Sequence, residues 1–156
     1  MSDKALGWWY VTGQFLLLIL LVLSPGDKAG YGPIDAVFAI LGYLVMVAGT
    51  VLLVVAARGL GRSLTAHPSP RDRSQLVTDG LYHYVRHPIY SALMMLALGV
   101  TLQSGPYPQV VAFAALVLLL NFKARFEEQQ LLERYPDYAD YAARTPRFIP
   151  RPQSRR

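Results

Sequence analysis

The chain has 156 residues and a net charge of +5; 53 % of the residues are apolar and 16 % are charged, against roughly 25 % charged in a soluble domain. The absence of cysteine excludes disulfides, thiolate metal sites and a cysteine nucleophile. The charges are segregated, with none from Trp8 to Leu23, from Ala36 to Ala57 or from Pro88 to Phe122. Blocks of that length belong in a bilayer, so the excess positive charge is read as facing anionic headgroups and fixing topology, and not as a nucleic-acid surface.

The first apolar run follows one lysine, Lys4, and ends in Leu23-Ser24-Pro25-Gly26 where a signal peptide would have a small-x-small cleavage site. It predicts a retained transmembrane helix over Trp8–Leu23, with Trp8, Trp9 and Tyr10 as its interfacial belt. The second span is predicted over Ile34–Ala57. Pro33 suits its start and Gly59-Leu60-Gly61 its end. Gly42, Gly49 and Ala56 recur every seven residues and make a small-residue stripe for close helix packing.

The third and fourth spans are predicted over residues 88–103 and 106–122, around the apolar runs Ile89–Leu102 and Val110–Leu120. Both runs are short of the roughly 20 residues of a full span, so a re-entrant hairpin is the alternative. Two spans are preferred because the fourth helix continues without a breaker to Pro136. Arg58, Arg62, Arg71, Arg73 and Arg86 lie between spans two and three, and eight further Lys and Arg lie from Lys123 onward. The other two connections carry only Lys28. Both termini and the segments 58–87 and 123–150 are therefore expected on the cytoplasmic side. The fold class expected is all-α: an integral membrane bundle of about four transmembrane helices with a cytoplasmic cap.

Chemistry gathers in that cap. In Arg86-His87-Pro88, Pro88 favours the first turn of a helix and biases His87 towards extended backbone. The free N–H groups of that turn, beside Arg86, make an anion site; interfacial anchoring on lipid phosphate is the other reading. Glu127 and Glu128 lie roughly 10–12 Å beyond Leu120 along a helix. They suit a cationic or hydroxyl-bearing ligand at the headgroup level, or, for Glu127, a surface pair with Lys123 at i, i+4. His67 lies in a stretch without helical period and reads as a surface residue. No set of histidines and carboxylates has metal-ligand spacing. In the tail, Asp137 is expected to cap a short helix stopped by Pro146, with Tyr138 and Tyr141 on one face. An amphipathic interfacial helix accounts for most of these residues.

Together these segments resemble the membrane-embedded methyltransferases that include isoprenylcysteine carboxyl methyltransferase and the phospholipid methyltransferases. The resemblance is carried by Leu76-Val77-Thr78-Asp79-Gly80-Leu81-Tyr82 followed by Arg86-His87-Pro88-x-Tyr90. Its second half is Glu127-Glu128-x-x-Leu131, then Tyr135, Tyr138, Tyr141 and Arg147-x-x-Pro150. It covers about Gly59 to Pro150 and implies S-adenosylmethionine as methyl donor, in a cytoplasmic pocket open to lipid for the acceptor. It implies cofactor contacts at His67, Leu76, Val77, Gly80, Tyr82, His87, Pro88, Glu127 and Glu128, with Gly59 and Gly61 as a weaker match. Arg86, Tyr90, Glu127 and Glu128 are implied at the reacting centre, and no metal is.

The family often has glycine two residues after the signature tyrosine, where this chain has Ala92. That departure bears on the acceptor more than on the cofactor. The expected acceptor is lipid-like or prenylcysteine-like, with carboxyl O-methylation favoured. Phospholipid amine or small-thiol methylation is the alternative, and a non-catalytic lipid-binding protein is the alternative of another class. Membrane lipids are expected partners and nucleic acid is not.

Overall fold

The computed structural model describes residues 3–24, 34–61, 76–104 and 107–151. In chain order its helices are α1 (Asp3–Leu23), α2 (Asp35–Leu60), α3 (Leu81–Tyr84), α4 (Pro88–Ser104), α5 (Tyr107–Arg134) and α6 (Tyr138–Arg144). Among the described residues there is no strand. Three helices, α1, α2 and α5, are long and apolar enough to cross a membrane, and α4 is a shorter apolar helix. The fold is a helical membrane bundle.

The lengths follow from the charge pattern. At about 1.5 Å per residue, the 17 residues of α4 rise about 25 Å and the 28 residues of α5 about 42 Å. A hydrocarbon core is about 30 Å thick. The apolar part of α5 ends at Phe122, and six of the twelve residues from Lys123 to Arg134 are charged. That charged extension is what carries Glu127 and Glu128 beyond the apolar bundle.

The small-residue stripe of α2 does what its spacing predicts. Gly42, Gly49 and Ala56 are the buried residues of that helix, and they lie along α4. A Cβ at Gly42 would come 2.7 Å from the Gly99 carbonyl oxygen, and one at Gly49 would come 3.1 Å from Met95 Cβ. Gly99 answers from α4, since a Cβ there would come 2.7 Å from the Gly42 carbonyl oxygen. Only glycine on both sides allows the two backbones to approach this closely. Most of the other side chains of α2, Val37, Ile40, Leu44, Val47 and Val51 among them, are exposed and apolar. Such a helix has no aqueous face and suits lipid.

The second half of the core lies where α1, α4 and α5 meet. Leu21, Tyr90, Ala97, Ala112, Leu116, Leu120 and Ala124 form one buried cluster, with Leu17, Leu93, Phe113 and Phe148 packed against it. Alanines on α4 and α5 leave room for the large side chains, and Phe148 brings the segment after α6 into the same core.

Helix ends place the cap. α2 stops at Leu60 because Gly61, at φ 51°, turns the chain while its N–H bonds the Ala57 carbonyl. Gly80, at φ 60°, stands before α3. Asp137 holds the N-cap position of α6, but its side chain makes no capping hydrogen bond, so the expected cap is one of position only. Tyr138 and Tyr141 share one face as predicted, with ring centroids 5.8 Å apart. Both are buried, so this face of α6 packs inward and does not lie on a bilayer.

Candidate active site

Two elements distant in sequence are laced together at the start of α4. The Arg86 N–H bonds the Pro146 carbonyl (2.9 Å) and the His87 N–H bonds the Arg147 carbonyl (3.0 Å). Ser91 Oγ, one turn into α4, donates to the Phe148 carbonyl at 2.7 Å. The Arg86 guanidinium also reaches the Ala142 carbonyl at the end of α6 (3.2 Å). The extended backbone that Pro88 favours at His87 is what lets these N–H groups point sideways into the tail.

The side chains then meet on Glu128. Its Oε1 accepts from Arg147 Nε at 2.9 Å and from His87 Nε2 at 3.1 Å, and lies 3.2 Å from an Arg86 terminal nitrogen. Its Oε2 accepts from the other prong of Arg147 at 2.6 Å. This is the forked guanidinium–carboxylate pair that only arginine can make. Arg147 is fixed further by donating to Asn121 Oδ1 at 2.9 Å. The hydrogen bonds to Glu128 raise the Arg147 pKa above its ordinary value, against the opposing effect of its burial.

Glu127 is differently placed. It accepts a short hydrogen bond from the Tyr90 hydroxyl, and its Oε2 lies 3.5 Å from His87 Nδ1. The His87 and Tyr90 rings stack with planes 2° apart and centroids 5.3 Å apart. His87 therefore stands between the two carboxylates. A neutral imidazole has one N–H, which the shorter contact assigns to Nε2; donating to both carboxylates takes the doubly protonated ring. Glu128 is close to saturated, whereas Glu127 keeps lone pairs for a further partner.

The aromatic wall completes the cap. The Tyr141 hydroxyl donates to the Tyr82 carbonyl at 2.6 Å, and the Tyr82 hydroxyl reaches the Ala56 carbonyl of α2 at 3.4 Å. Burial, offset by Arg86, pushes the Tyr141 phenol up to about 12. Burial and neighbouring Tyr141 and Glu127 raise Tyr82 further. Burial, then Glu128, does the same to Tyr138, with Arg86 opposing. All three stay neutral donors at physiological pH. The Tyr138 hydroxyl and Arg86 Nε are buried and have no hydrogen-bond partner among the described residues.

Of the residues singled out by sequence, Arg86, His87, Tyr90, Glu127 and Glu128 come together in one cluster, with Pro88 fully buried as the first residue of α4. Tyr82 flanks the cluster on the α2 side, where a Cβ at Gly59 would lie 3.7 Å from its ring. Gly61 and Gly80 are the positive-φ turns before and after residues 62–79. Leu76 lines an open groove of about 770 Å³, with Thr78, Asp79, His83, Tyr141 and Arg144; Val77 follows it, half-buried. His67 lies outside the described residues. Ala92 is fully buried within α4.

Three contributors went unassigned in the sequence. Arg147 had a signal, its place in the tail motif, but Asn121 and Gln14 had none. Lys123 is expected to pair with Glu127 on its own helix; in the structure its amine donates to Gln14 Oε1 on α1 at 2.9 Å. Among the described residues, no group of three or more His, Cys, Asp or Glu side chains is placed to hold a metal ion.

An ionic cluster at the end of an apolar helical bundle defines a membrane protein with a polar site at the bilayer boundary. The sequence model of the phospholipid methyltransferase family matches residues 37–138, and the chain belongs to that family. It is 31 % identical over 154 residues to a cobalt-zinc-cadmium resistance protein of Cupriavidus metallidurans, covering 97 % of this chain and 66 % of that protein. It is 40 % identical over 78 residues to a protein-S-isoprenylcysteine O-methyltransferase of Schizosaccharomyces pombe, covering 48 % of this chain and 33 % of that one. It is 31 % identical over 115 residues to protein-S-isoprenylcysteine O-methyltransferase B of Arabidopsis thaliana, covering 70 % and 57 %. The chain thus spans between one third and two thirds of the length of these relatives.

Proposed function

We propose that the protein is an S-adenosylmethionine-dependent methyltransferase acting on an amphiphile at the membrane surface, with a carboxylate oxygen as the favoured methyl acceptor. The observation that carries this reading is the convergence of both motif halves on Glu128. Arg86 and His87 come from one half and Glu128 and Arg147 from the other, all within 3.2 Å of one carboxylate.

The residues fit the cofactor. It carries a carboxylate, an ammonium and ribose hydroxyls. The buried, unpartnered Arg86 Nε–H and Tyr138 hydroxyl suit the carboxylate or the hydroxyls, and the open lone pairs of Glu127 suit the ammonium. His87, Pro88, Tyr82, Gly80, Leu76, Val77, Glu128, Gly59, Gly61 and His67 are the further positions proposed to shape this pocket. When bound, the cofactor supplies an electrophilic methyl group on sulfur. The protein's own task is positioning and exclusion of water, since displacement at a sulfonium needs no covalent catalyst.

The proton inventory favours a carboxylate acceptor. An acceptor that is already an anion needs no general base. Glu128 is held by three cationic or imidazole groups, and Glu127 receives the Tyr90 hydroxyl; neither is a free base. Arg86 is the residue proposed to orient the acceptor anion beside Tyr90. The names of the fission-yeast and plant relatives point the same way. The cap is proposed to face the cytoplasm, where the Lys and Arg of residues 58–87 and 123–156 would place it.

The test is transfer of a labelled methyl group from S-adenosylmethionine to prenylcysteine, phospholipid-amine and thiol acceptors. Transfer to the carboxylate is expected, and transfer only to amine or thiol would replace the acceptor. Calorimetry in detergent that detects no cofactor binding would leave the non-catalytic lipid-binding reading in its place.

A further inference from the structure

The site contains one cation that no carboxylate answers. Lys123 is 3 % exposed. Its ammonium has three N–H donors; one goes to Gln14 Oε1 at 2.9 Å, and the group lies 5.1 Å from the centroid of the Tyr90 ring. Gln14 is itself buried, at 8 % exposure. Among the described residues no carboxylate oxygen lies within 4.0 Å of Lys123 Nζ. Both site carboxylates are turned elsewhere, Glu128 to Arg86, His87 and Arg147, and Glu127 to Tyr90 and His87.

The charge count agrees. Arg86, Arg147 and Lys123 stand against Glu127 and Glu128, an excess of one positive charge before His87 is considered. A buried ammonium held by one neutral amide and an aromatic face is costly. An anion arriving at it would remove that cost.

Its location selects the kind of anion. Lys123 is the first charged residue after the charge-free run from Pro88 to Phe122. It stands one helical turn, about 6 Å, below Glu127 on the bilayer side. A molecule whose tail lies among the apolar helices would bring its head group to this level. We propose that Lys123, steered by Gln14, is the residue that receives the anionic head group of the amphiphile, a carboxylate or a phosphate. The assignment rests on the methyltransferase reading only in taking that amphiphile to be the methyl acceptor. It also gives α1, which lies outside residues 37–138, a direct part in the site.

The test uses the full chain in neutral detergent and three amphiphiles with the same hydrocarbon tail: a carboxylate, a phosphate monoester and an alcohol. Calorimetry on the parent should show both anions binding more tightly than the alcohol, and whichever anion binds better identifies the head group. Lys123→Met should weaken the anions about tenfold or more, the scale of one charge-assisted hydrogen bond. It should leave the alcohol unchanged, and Lys123→Arg should retain preference for the anions.

Gln14→Glu guards against a variant that merely unfolds. It places a carboxylate on the ammonium from within, so its thermal midpoint should hold or rise while anion binding falls. Equal binding of alcohol and anions by the parent, or parent-like anion binding in both Lys123→Met and Gln14→Glu, overturns the proposal. Methyl transfer is scored separately. A parent that binds anions through Lys123 but transfers no methyl refutes the methyltransferase reading alone. A Lys123→Met variant that binds and methylates the carboxylate like the parent refutes the assignment of Lys123 alone.

Discussion

Replacing Glu128 by Gln keeps the shape of the side chain and removes the charge on which Arg86, His87 and Arg147 converge. The amide oxygen can still accept one prong of the Arg147 fork. The amide nitrogen then faces the donors that Oε1 or Oε2 now receives, at 2.6 to 3.2 Å. Hydrogen bonds to charged groups contribute about 1.5–3 kcal/mol each, and stripping one partner from a buried ion pair costs about 3–5 kcal/mol. Water recovers part of this loss at Arg147, whose side chain is 26 % exposed, but little at Arg86, at 13 %. The expected destabilisation is therefore about 3 kcal/mol, at the low end of that range. In a chain of this size that lowers the thermal midpoint by about 6–12 °C, read from the helical circular dichroism signal in detergent. A double-mutant cycle with Arg147→Gln should give a coupling of about 1–3 kcal/mol. Glu127→Gln, which keeps an acceptor for Tyr90, should cost less than about 1.5 kcal/mol. If Glu128→Gln melts within about 2 °C of the parent, or the cycle is additive, Glu128 is not the organising charge of the site.

Two further predictions concern the frame. Gly99→Ala pushes a methyl group to 2.7 Å from the Gly42 carbonyl oxygen; a backbone atom cannot swing aside, so a loss of about 1–3 kcal/mol is expected, again as a lowered thermal midpoint. Tyr141→Phe removes the 2.6 Å bond to the Tyr82 carbonyl and should cost about 1 kcal/mol at neutral pH. Tyr141 also carries a pH dependence. Its folded pKa is raised from 10.0 to about 12, so the folded state holds the proton more tightly. Its contribution is complete below pH 10 and is lost as pH rises from 10 towards 12. Denaturation followed across that interval should show a shallower alkaline decline in Tyr141→Phe than in the parent, and an identical decline would contradict the assignment.

What the sequence made legible was whatever repeats along one helix or sits in a contiguous motif. The charge-free runs located the apolar helices, the seven-residue stripe of Gly42, Gly49 and Ala56 located the α2–α4 contact, and Pro88 located the start of α4. Arg86, His87, Tyr90, Glu127 and Glu128 were named because they stand in two compact blocks. Partnerships across helices were not legible. Lys123 has Glu127 one turn away, and spacing alone pairs them; the partner it takes, Gln14, is 109 residues distant. Likewise Arg147 bonds Glu128 and Asn121 because the backbone of the tail is fastened to Arg86 and His87, a relation that no helical period encodes. The α6 face shows the same limit: its Tyr138–Tyr141 spacing was read correctly, but burial against the site and not a bilayer depends on where the following segment runs.

The fastening of residues 146–148 to the start of α4 has a consequence for the order in which the molecule is made. Ser91 and Phe148, bonded at 2.7 Å, are 57 residues apart, so α4 and α5 are both synthesised before their clasp exists. Until Arg147 emerges, Glu128 has only Arg86 and His87 for counter-charges, and Arg86 and His87 lack backbone acceptors. The two helices thus enter the bilayer as an apolar hairpin with an unfinished polar end. The last residues to leave the ribosome among those described are the ones that complete it, which makes the site itself a late report on whether assembly has succeeded.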